Sequence, residues 1–353
     1  MISNGGLTFW EQELRSLCRQ AIEEKAATAL AFAVGDRHGI RFQRVEGALK
    51  EGGEVATPLS LFDLASLSKL VGTGMAALAL IEKGTLPLGL TLGEAFGVLC
   101  PEEKKKITLF QLLTHTGGFP AAYHLYEKNP DPSQALAELL RYPLEEKPGT
   151  CACYSCMGFL VLGFLLEKVC GLPLEILCQR FVWEPLGLAH TGYCPAQSLP
   201  GQSAVCTSLV QNCRLSGEVS DSNARFLGGI AGNAGVFSCL EDMVIFSGFL
   251  AGECAPLLTK GLFRQAVSDQ TAAFSIHRGL GFHLLPGDNP FTGNLFPKGC
   301  YGHTGFTGTS CFVEYDTGRY ALLLTNRVYY GKENQRLARF RPLLHQAARS
   351  AFI

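Results

Sequence analysis

A serine and a lysine that could together attack a carbonyl group stand three residues apart in the first quarter of the chain. Ser66 and Lys69 follow an apolar, strand-like run at residues 61–64, and a helical pattern of apolar residues continues from them to Gly84. If a helix begins near Ser66, the two side chains lie one turn apart on the same side. Apolar neighbours near a helix N-terminus favour the neutral, basic form of a lysine, which could activate the serine. The spacing indicates nucleophilic catalysis, although an N-cap serine with a solvated lysine fits the same pattern.

Tyr154 is a second candidate for proton transfer. It follows a Pro-Gly turn at residues 147–150 and precedes an apolar helix that runs to residues 170–171. A tyrosine in a cleft can act as a phenolate base or relay a proton to a lysine, but by itself Tyr154 also fits ordinary packing. His115 beside a glycine turn is a further base candidate, although a histidine in that setting commonly bonds the backbone.

Small residues near the C-terminus suggest where a substrate could lie. Residues 302–308 read GHTGFTG and precede a hairpin that turns at residues 316–318. A strand edge made of residues such as Thr304 and Gly305 lets the backbone of a substrate approach and add hydrogen bonds.

Composition excludes several classes of function. The chain has 353 residues, a net charge of -1 and no block of basic residues, so we expect no nucleic-acid partner. Residues 1–25 lack the pattern of a signal peptide, and the most apolar window, residues 157–166, is too short to span a bilayer. We therefore expect a cytoplasmic protein without a membrane span, and the family resemblance set out below implies a small molecule or short peptide as the substrate. The sequence leaves the oligomeric state open.

The many cysteines and glycines could indicate a zinc site or a phosphate-binding loop, but their spacing supports neither. The chain has 14 cysteines, and a cluster at residues 151–156 lacks the paired spacing of a zinc site. We expect reduced, mostly buried thiols and no metal. The glycine-rich run at residues 228–238 lacks the Gly-Lys-Ser/Thr ending of a phosphate-binding loop, and close backbone packing accounts for it better.

The order of elements predicts two lobes within a single catalytic unit of residues 1–353. Strands are expected at both ends of the chain and helices in the middle. Residues 1–70 and 270–353 would form an α/β lobe, and residues 71–269 a mostly helical lobe. The cleft between the lobes would then collect Ser66, Lys69, Tyr154 and His303.

Several ordered motifs together resemble the serine β-lactamase and penicillin-binding protein superfamily, in particular its class C β-lactamase-like group. The resemblance covers nearly the whole chain, and its motifs are residues 66–69 (SLSK), 112–118 (LLTHTGG), 148–156 (PGTCACYSC), 184–187 (EPLG), 228–238 and 303–305 (HTG). It implies an α/β fold of the α+β type, with an antiparallel sheet flanked by terminal helices and a mostly helical lobe.

The resemblance also implies roles for individual residues. Ser66 would be acylated, and Lys69 and Tyr154 would share the proton transfers in a division that the sequence leaves open. The backbone N–H groups of Ser66 and Phe306 would form an oxyanion hole. The substrate-binding residues carried over by position are Cys156, His303, Thr304 and Gly305. The resemblance implies no metal and no cofactor.

Two of these positions depart from the family pattern. The Asn of Tyr-x-Asn is Cys156 here, and the Lys of Lys-Thr-Gly is His303. A thiol is a weak hydrogen-bond partner, and a histidine is a cation only below its pKa. Both changes weaken recognition of penicillins, and we expect an esterase or peptidase-like hydrolase that prefers uncharged, short acyl esters.

Three functions remain to be distinguished. The favoured one is a serine hydrolase that cleaves an ester, amide or β-lactam through an acyl-enzyme on Ser66. The alternatives are a DD-peptidase-like penicillin-binding protein and a non-catalytic ligand-binding member of the same fold.

Overall fold

The structure is a computed structural model, and it describes residues 7–128, 131–252 and 256–353. Residues 1–6 and Cys254 lie outside the described residues. Residues 1–6 belong to the N-terminal region that we predict not to be a signal peptide.

The strands of the described residues lie mainly near the two ends of the chain. They are β1 (Ala29–Asp36), β2 (Gly39–Gly47), β3 (Phe62–Asp63), β4 (Gly192–Tyr193), β5 (Leu209–Val210), β6 (Cys213–Arg214), β7 (Val236–Ser238), β8 (His283–Leu285), β9 (Cys300–Thr304), β10 (Ser310–Glu314) and β11 (Tyr320–Thr325).

The α-helices of the described residues lie mainly between these two groups of strands. They are α1 (Phe9–Glu23), α2 (Met75–Glu82), α3 (Leu92–Phe96), α4 (Leu109–Leu113), α5 (Leu125–Lys128), α6 (Ala135–Arg141), α7 (Cys156–Cys170), α8 (Leu174–Cys178), α9 (Glu184–Leu186), α10 (Pro195–Ser198), α11 (Ser222–Phe226), α12 (Leu240–Ala251), α13 (Lys260–Val267) and α14 (Arg336–Ala348). Short 3₁₀ or π turns extend several of them, among them Ala65–Leu67, Lys69–Gly74 and Arg327–Tyr330.

A six-stranded sheet forms the middle layer of the fold. Its order is β2-β1-β11-β10-β9-β8, and β1 pairs with β2 and β11 in antiparallel register. The alternation of side chains along β1 places Leu30, Phe32 and Val34 in a core that also contains residues of α1 and α14. The alanines of β1 face a second core, on the side where α12 packs. The predicted antiparallel sheet flanked by terminal helices is therefore confirmed.

The sheet brings the two ends of the chain together and orients the edge that borders the cleft. β9 pairs with β10, with His303 opposite Cys311 and Thr304 opposite Ser310. The predicted hairpin around Gly318 joins β10 to β11, and β1 and β2 are two of the strands predicted near the start of the chain. The proposed lobe boundaries stay a prediction.

The segment after β3 is less regular than the predicted helix. Ser66 lies in the 3₁₀ turn Ala65–Leu67, Lys69 begins the π turn Lys69–Gly74, and the regular α-helix starts only at Met75. The segment Ala65–Glu82 has the length and composition of a membrane-crossing helix, but 83% of it is buried inside the protein. Such burial is what the core helix of a globular protein shows.

Candidate active site

Ser66 projects from a strained turn between β3 and the π turn. Ala65 has a φ of 48°, in the left-handed region that residues with a Cβ rarely adopt. The carboxylate of Asp63 holds the turn, because Oδ1 accepts the Ala65 N–H at 2.9 Å and Oδ2 accepts the Ser220 N–H at 2.8 Å. Burial raises the pKa of Asp63 to about 6, against the effect of these two hydrogen bonds. The backbone around the candidate nucleophile is therefore fixed by its neighbours before any substrate binds.

The Lys69 side chain is fully buried and reaches Ser66. Its Nζ donates to Ser66 Oγ at 3.1 Å, to the Asn233 carbonyl oxygen at 2.9 Å and to Cys156 Sγ at 3.4 Å. The predicted juxtaposition of Ser66 and Lys69 is thus present, although a 3₁₀ turn rather than a regular helix creates it.

The charge of Lys69 differs from the expectation of a neutral amine. Burial lowers its pKa, but the neighbouring Cys156 and Tyr154 side chains, which become anions when they ionise, raise it by more. The pKa of Lys69 therefore lies above its ordinary value, and the resting side chain is an ammonium group. The expectation was wrong because it counted the apolar neighbours and not the two acidic ones.

Tyr154 lines the same cleft as Ser66 and faces Lys69. The Lys69 Nζ lies 5.0 Å from the centre of the Tyr154 ring, and burial raises the pKa of the phenol while the Lys69 charge opposes this. The ring is positioned by the start of α7, where Ser155 Oγ accepts the Gly158 N–H at 2.9 Å and donates to the Pro120 carbonyl oxygen. The phenol and the ammonium group are thus held together as one proton-carrying pair.

His115 supports Tyr154 and is not a base for Ser66. Its Nδ1 accepts the Ser155 N–H at 3.1 Å, and its ring lies 4.9 Å from that of Tyr154 and 5.0 Å from that of Phe159. Burial lowers the pKa of His115 well below 6.5, so the imidazole stays neutral. This is the backbone-bonded histidine that the sequence favoured.

The turn after β9 is bound to the turn that carries Ser66. Thr307 Oγ1 donates to the Asp63 carbonyl oxygen at 2.8 Å, and Thr309 Oγ1 donates to the Leu64 carbonyl oxygen at 3.0 Å. A Cβ on Gly305 would collide with that same Leu64 oxygen, so glycine is required where the two turns meet. The Phe306 N–H has no hydrogen-bond partner within the described ranges and belongs to a residue that lines the cleft.

The cleft has a volume of about 410 Å³. Its lining includes Ser66, Tyr154, His303, Thr304, Gly305 and Phe306. The structure thus brings the candidate nucleophile and Tyr154 together with most of the predicted substrate-binding residues. Cys156, the remaining one, contacts Lys69 through its thiol.

His303 does not replace the missing lysine as a cation, although a histidine becomes a cation below its pKa. It is 2% exposed, its Nδ1 donates to the Thr304 carbonyl oxygen at 2.7 Å, and its Nε2 has no partner among the described residues. Burial, with smaller effects of the Arg278 and Lys69 charges, lowers the pKa of His303 well below 6.5. The imidazole is therefore neutral near pH 7, and protonation could restore a cation at this position only well below pH 6.5.

Arg278 supplies the permanent cation that sequence reasoning missed. It is 7% exposed, lines the cleft, and its Cζ lies 5.2 Å from the centre of the Tyr154 ring. Burial lowers its pKa to about 10, which still leaves a cation at neutral pH. Arg278 lies in none of the sequence motifs. The sequence indicated it only indirectly, because the absence of a lysine at residue 303 means that a cation in the cleft must come from another residue.

The glycine-rich run at residues 228–238 is packed against this site as backbone. A Cβ on Gly232 would collide with the Phe159 carbonyl oxygen, which confirms that close packing requires glycine there. The next residue, Asn233, orients Lys69 through its carbonyl oxygen. Sequence reasoning missed this role because a backbone acceptor has no residue signature.

Comparison with known proteins agrees with this geometry. The family model Beta-lactamase matches residues 14–346. A protein of Escherichia coli K12 named "Putative D-alanyl-D-alanine carboxypeptidase" is 30% identical over 311 residues, which cover 77% of this chain and 70% of the relative.

Solved structures share the fold at lower sequence identity. The octameric penicillin-binding protein homologue from Pyrococcus abyssi has a TM-score of 0.73 at 18% identity, covering 91% of this chain and 74% of that one. EstCE1, a hydrolase with promiscuous acyltransferase activity, has a TM-score of 0.74 at 20% identity, covering 95% and 98%. With a nearly full-length family match and the β-lactamase/transpeptidase-like fold, this chain belongs to the β-lactamase family.

Proposed function

We propose that the protein is a serine hydrolase that cleaves an ester or amide bond through an acyl-enzyme on Ser66. The observation that carries the proposal is the 3.1 Å contact between Ser66 Oγ and Lys69 Nζ at a cleft that Tyr154 also lines. A hydroxyl in contact with a proton-accepting pair, and open to a cleft, is the arrangement that nucleophilic catalysis requires.

The first chemical step transfers the Ser66 proton to the Lys69–Tyr154 pair. In its resting state the pair holds a phenol and an ammonium group, since the pKa values of both side chains are raised. It becomes a base after losing one proton, whichever of the two groups gives it up. We therefore expect kcat/KM to rise with pH until the pair has lost that proton.

The second requirement is stabilisation of the oxyanion that forms when Ser66 Oγ bonds to the carbonyl carbon. The N–H groups of Ser66 and Phe306 are the candidate donors, and the bonds from Thr307 and Thr309 keep their two turns in register. One such donor is worth about 2.7–4 kcal/mol in the transition state. The leaving group departs with the proton held by the pair, and water then releases the acyl group with the same pair as base.

We favour an esterase or peptidase-like activity over efficient β-lactam hydrolysis, within the class C-like branch indicated by the order of the motifs. Arg278 removes one argument against β-lactams, because the cleft does contain a cation. The remaining argument is Cys156, whose thiol contacts Lys69 where the resemblance places a side-chain amide for the substrate. The similarity to a protein named "Putative D-alanyl-D-alanine carboxypeptidase" and to EstCE1, a hydrolase with promiscuous acyltransferase activity, supports the same range of substrates.

Covalent labelling tests the proposal directly. A fluorophosphonate probe followed by peptide mass spectrometry should place the adduct on Ser66, and Ser66→Ala should abolish both the adduct and turnover. Ser216→Ala, in which an exposed serine is changed, is the matched control. An adduct on Ser68 or Ser155 would overturn the assignment, and stable labelling by a fluorescent penicillin without turnover of any substrate would favour a ligand-binding protein.

A substrate panel tests the preference. Short-chain p-nitrophenyl esters and D-Ala-D-Ala peptides should be hydrolysed faster than nitrocefin by the wild-type protein. Cys156→Asn should raise the rate for nitrocefin relative to the ester, and Cys156→Ser, which restores no amide, should not. Efficient nitrocefin hydrolysis without ester or peptide hydrolysis would contradict the preference and leave the role of Ser66 intact.

A further inference from the structure

Two more arginines, Arg327 and Arg341, line the cleft that contains Ser66. Arg341 belongs to α14, and its Nη2 donates to the Gly308 carbonyl oxygen at 2.6 Å. Arg327 follows β11, and its Nη1 donates to the Asn334 carbonyl oxygen at 3.0 Å. These bonds hold both guanidinium groups beside the turn that follows β9.

Aromatic rings cover the faces of both groups. The Arg341 Cζ lies 4.3 Å from the centre of the Phe291 ring, and the Arg327 Cζ lies 4.7 Å from that of Phe306. A guanidinium stacked on a ring keeps its N–H donors in the plane of the group, where an acceptor can reach them. The bonds to carbonyl oxygens use only part of this donor set, and Arg341 Nε is buried without a partner among the described residues.

Among the described residues, carboxylates balance little of the charge of this pair. In the described ranges neither arginine forms an ion pair with a carboxylate, and the cleft lining contains no Asp or Glu. Glu333 favours the charge of Arg327 but is exposed and makes no direct contact with it. Burial, together with repulsion from Arg327, lowers the pKa of Arg341 to about 10, which leaves both groups charged at neutral pH. Two partly desolvated like charges are unfavourable unless an anion joins them.

We propose that Arg327 and Arg341 form an anion subsite in the active-site cleft, and that the preferred substrate is an ester or amide with two separate acidic groups. One group would bind this pair and the other Arg278. A carboxylate suits both positions, because it accepts parallel N–H bonds from a guanidinium group. The inference rests on the proposed function, since it names the substrate class of the same site, and it replaces the expectation of an uncharged ester.

The test uses four phenyl esters that differ in whether each end carries a negative charge. The acyl group is butyryl or glutaryl, and the leaving group is 4-hydroxybenzamide or 4-hydroxybenzoate, so that each end carries a carboxylate or none. Wild-type kcat/KM should be highest for the ester with both carboxylates. Arg327→Gln and Arg341→Gln should each lower that value about tenfold to a hundredfold more than they lower kcat/KM for the uncharged ester.

Comparing each variant with the wild type on the same ester cancels the intrinsic reactivity of that ester. Each carboxylate should raise kcat/KM, and the one whose gain is lost in Arg327→Gln is the one that binds the arginine pair. The result therefore shows whether this subsite lies on the acyl side or the leaving-group side. Arg339→Gln, on the exposed face of α14 and paired with Glu24, is the matched control and should show no charge-dependent loss. Arg341→Lys keeps the charge and should retain part of the preference.

The outcomes separate this inference from the proposed function. Turnover of the uncharged ester through Ser66, with no gain from either carboxylate, would overturn the inference and leave the function standing. If no ester is hydrolysed and Ser66 is not labelled, the proposed function fails. Calorimetry with glutarate and its neutral diamide then decides the inference: glutarate binding that is lost in Arg327→Gln supports the subsite, and no glutarate binding to the wild type overturns it.

Because Arg341→Gln also loses the bond to Gly308, its melting temperature is measured. If Arg341→Gln does not fold, Arg327→Gln carries the test.

Discussion

Acid should destabilise this protein through His345, a residue of α14 that lies inside the core between the helix and the sheet. Its side chain is fully buried, with ring centres at 6.0 Å from that of Phe32 and 6.4 Å from that of Phe296. Neither ring nitrogen has a hydrogen-bond partner in the described part of the chain. Burial, and to a smaller extent the Arg341 charge, lowers the pKa from 6.5 to about 3.

The sign and size of the effect follow from this shift. The folded protein keeps His345 neutral down to a pH of about 3, whereas the unfolded chain binds a proton below 6.5. The contribution of His345 to the free energy of unfolding is therefore fully present above pH 6.5. It is lost as the pH falls toward 3, at about 1.4 kcal/mol per pH unit. Between the unfolded-state pKa and about pH 5 the loss is about 2 kcal/mol, a large share of the roughly 5–15 kcal/mol that stabilises a typical domain.

Replacing His345 with leucine should remove this pH dependence. Urea unfolding, followed by tryptophan fluorescence from about pH 7.5 down to about pH 5, gives the free energy of unfolding at each pH. The His345→Leu curve should be shallower than the wild-type curve by about 1.4 kcal/mol per unit below the unfolded-state pKa. It should lie no lower at neutral pH, because the imidazole makes no hydrogen bond to any described residue.

The difference between the two curves is the quantity that tests the reasoning. His115, His283 and His303 also have lowered pKa values because of burial, and they contribute the same slope to both proteins. His38→Leu, at an exposed site in the turn between β1 and β2, is the control and should run parallel to the wild type. Parallel curves for His345→Leu and the wild type would refute the argument.

Three further predictions concern the active site and the thiols. Lys69→Ala combined with Tyr154→Phe should lower kcat little more than the worse single change, because residues that act as a unit give non-additive losses; fully additive losses would show independent roles. His303→Asn should leave the pH dependence of kcat/KM unchanged, because this imidazole is already neutral, and the disappearance of a pH limb would contradict its burial. The intact mass of the native protein should be the same with and without reductant, because the described cysteines are free, and a bridge between Cys151 and Cys153 or a bound zinc ion would overturn this.

The parts of the fold and site that could be predicted from the sequence are those encoded in short stretches. Strands were predicted near both ends of the chain, where β1 and β2 lie, and the spacing of Ser66 and Lys69 predicted their contact. Glycines that are required where backbones meet, such as Gly232, could be distinguished from a phosphate loop because the flanking residues were wrong for one.

What could not be predicted depends on the environment that distant residues create. The raised pKa of Lys69 depends on Tyr154 and Cys156, and the neutral form of His303 results from burial. Arg278 enters the cleft from a segment without a motif, and only the folded chain brings it to Tyr154. A left-handed residue such as Ala65 contradicts its own local preference, so its conformation is imposed by tertiary contacts.

The bonds that join the Ser66 turn to the turn after β9 also determine when the active site can exist during synthesis. Thr307 bonds to Asp63 across 244 residues of sequence, and Thr309 bonds to Leu64 across 245. Contacts so distant along the chain form late, after loop closure has brought the two ends together. A chain emerging from the ribosome therefore carries Ser66 and Lys69 long before it carries Phe306, the second candidate oxyanion donor. The candidate nucleophile acquires the full set of neighbours described here only after Thr309 has been added, so we expect chains truncated before that residue to be inactive.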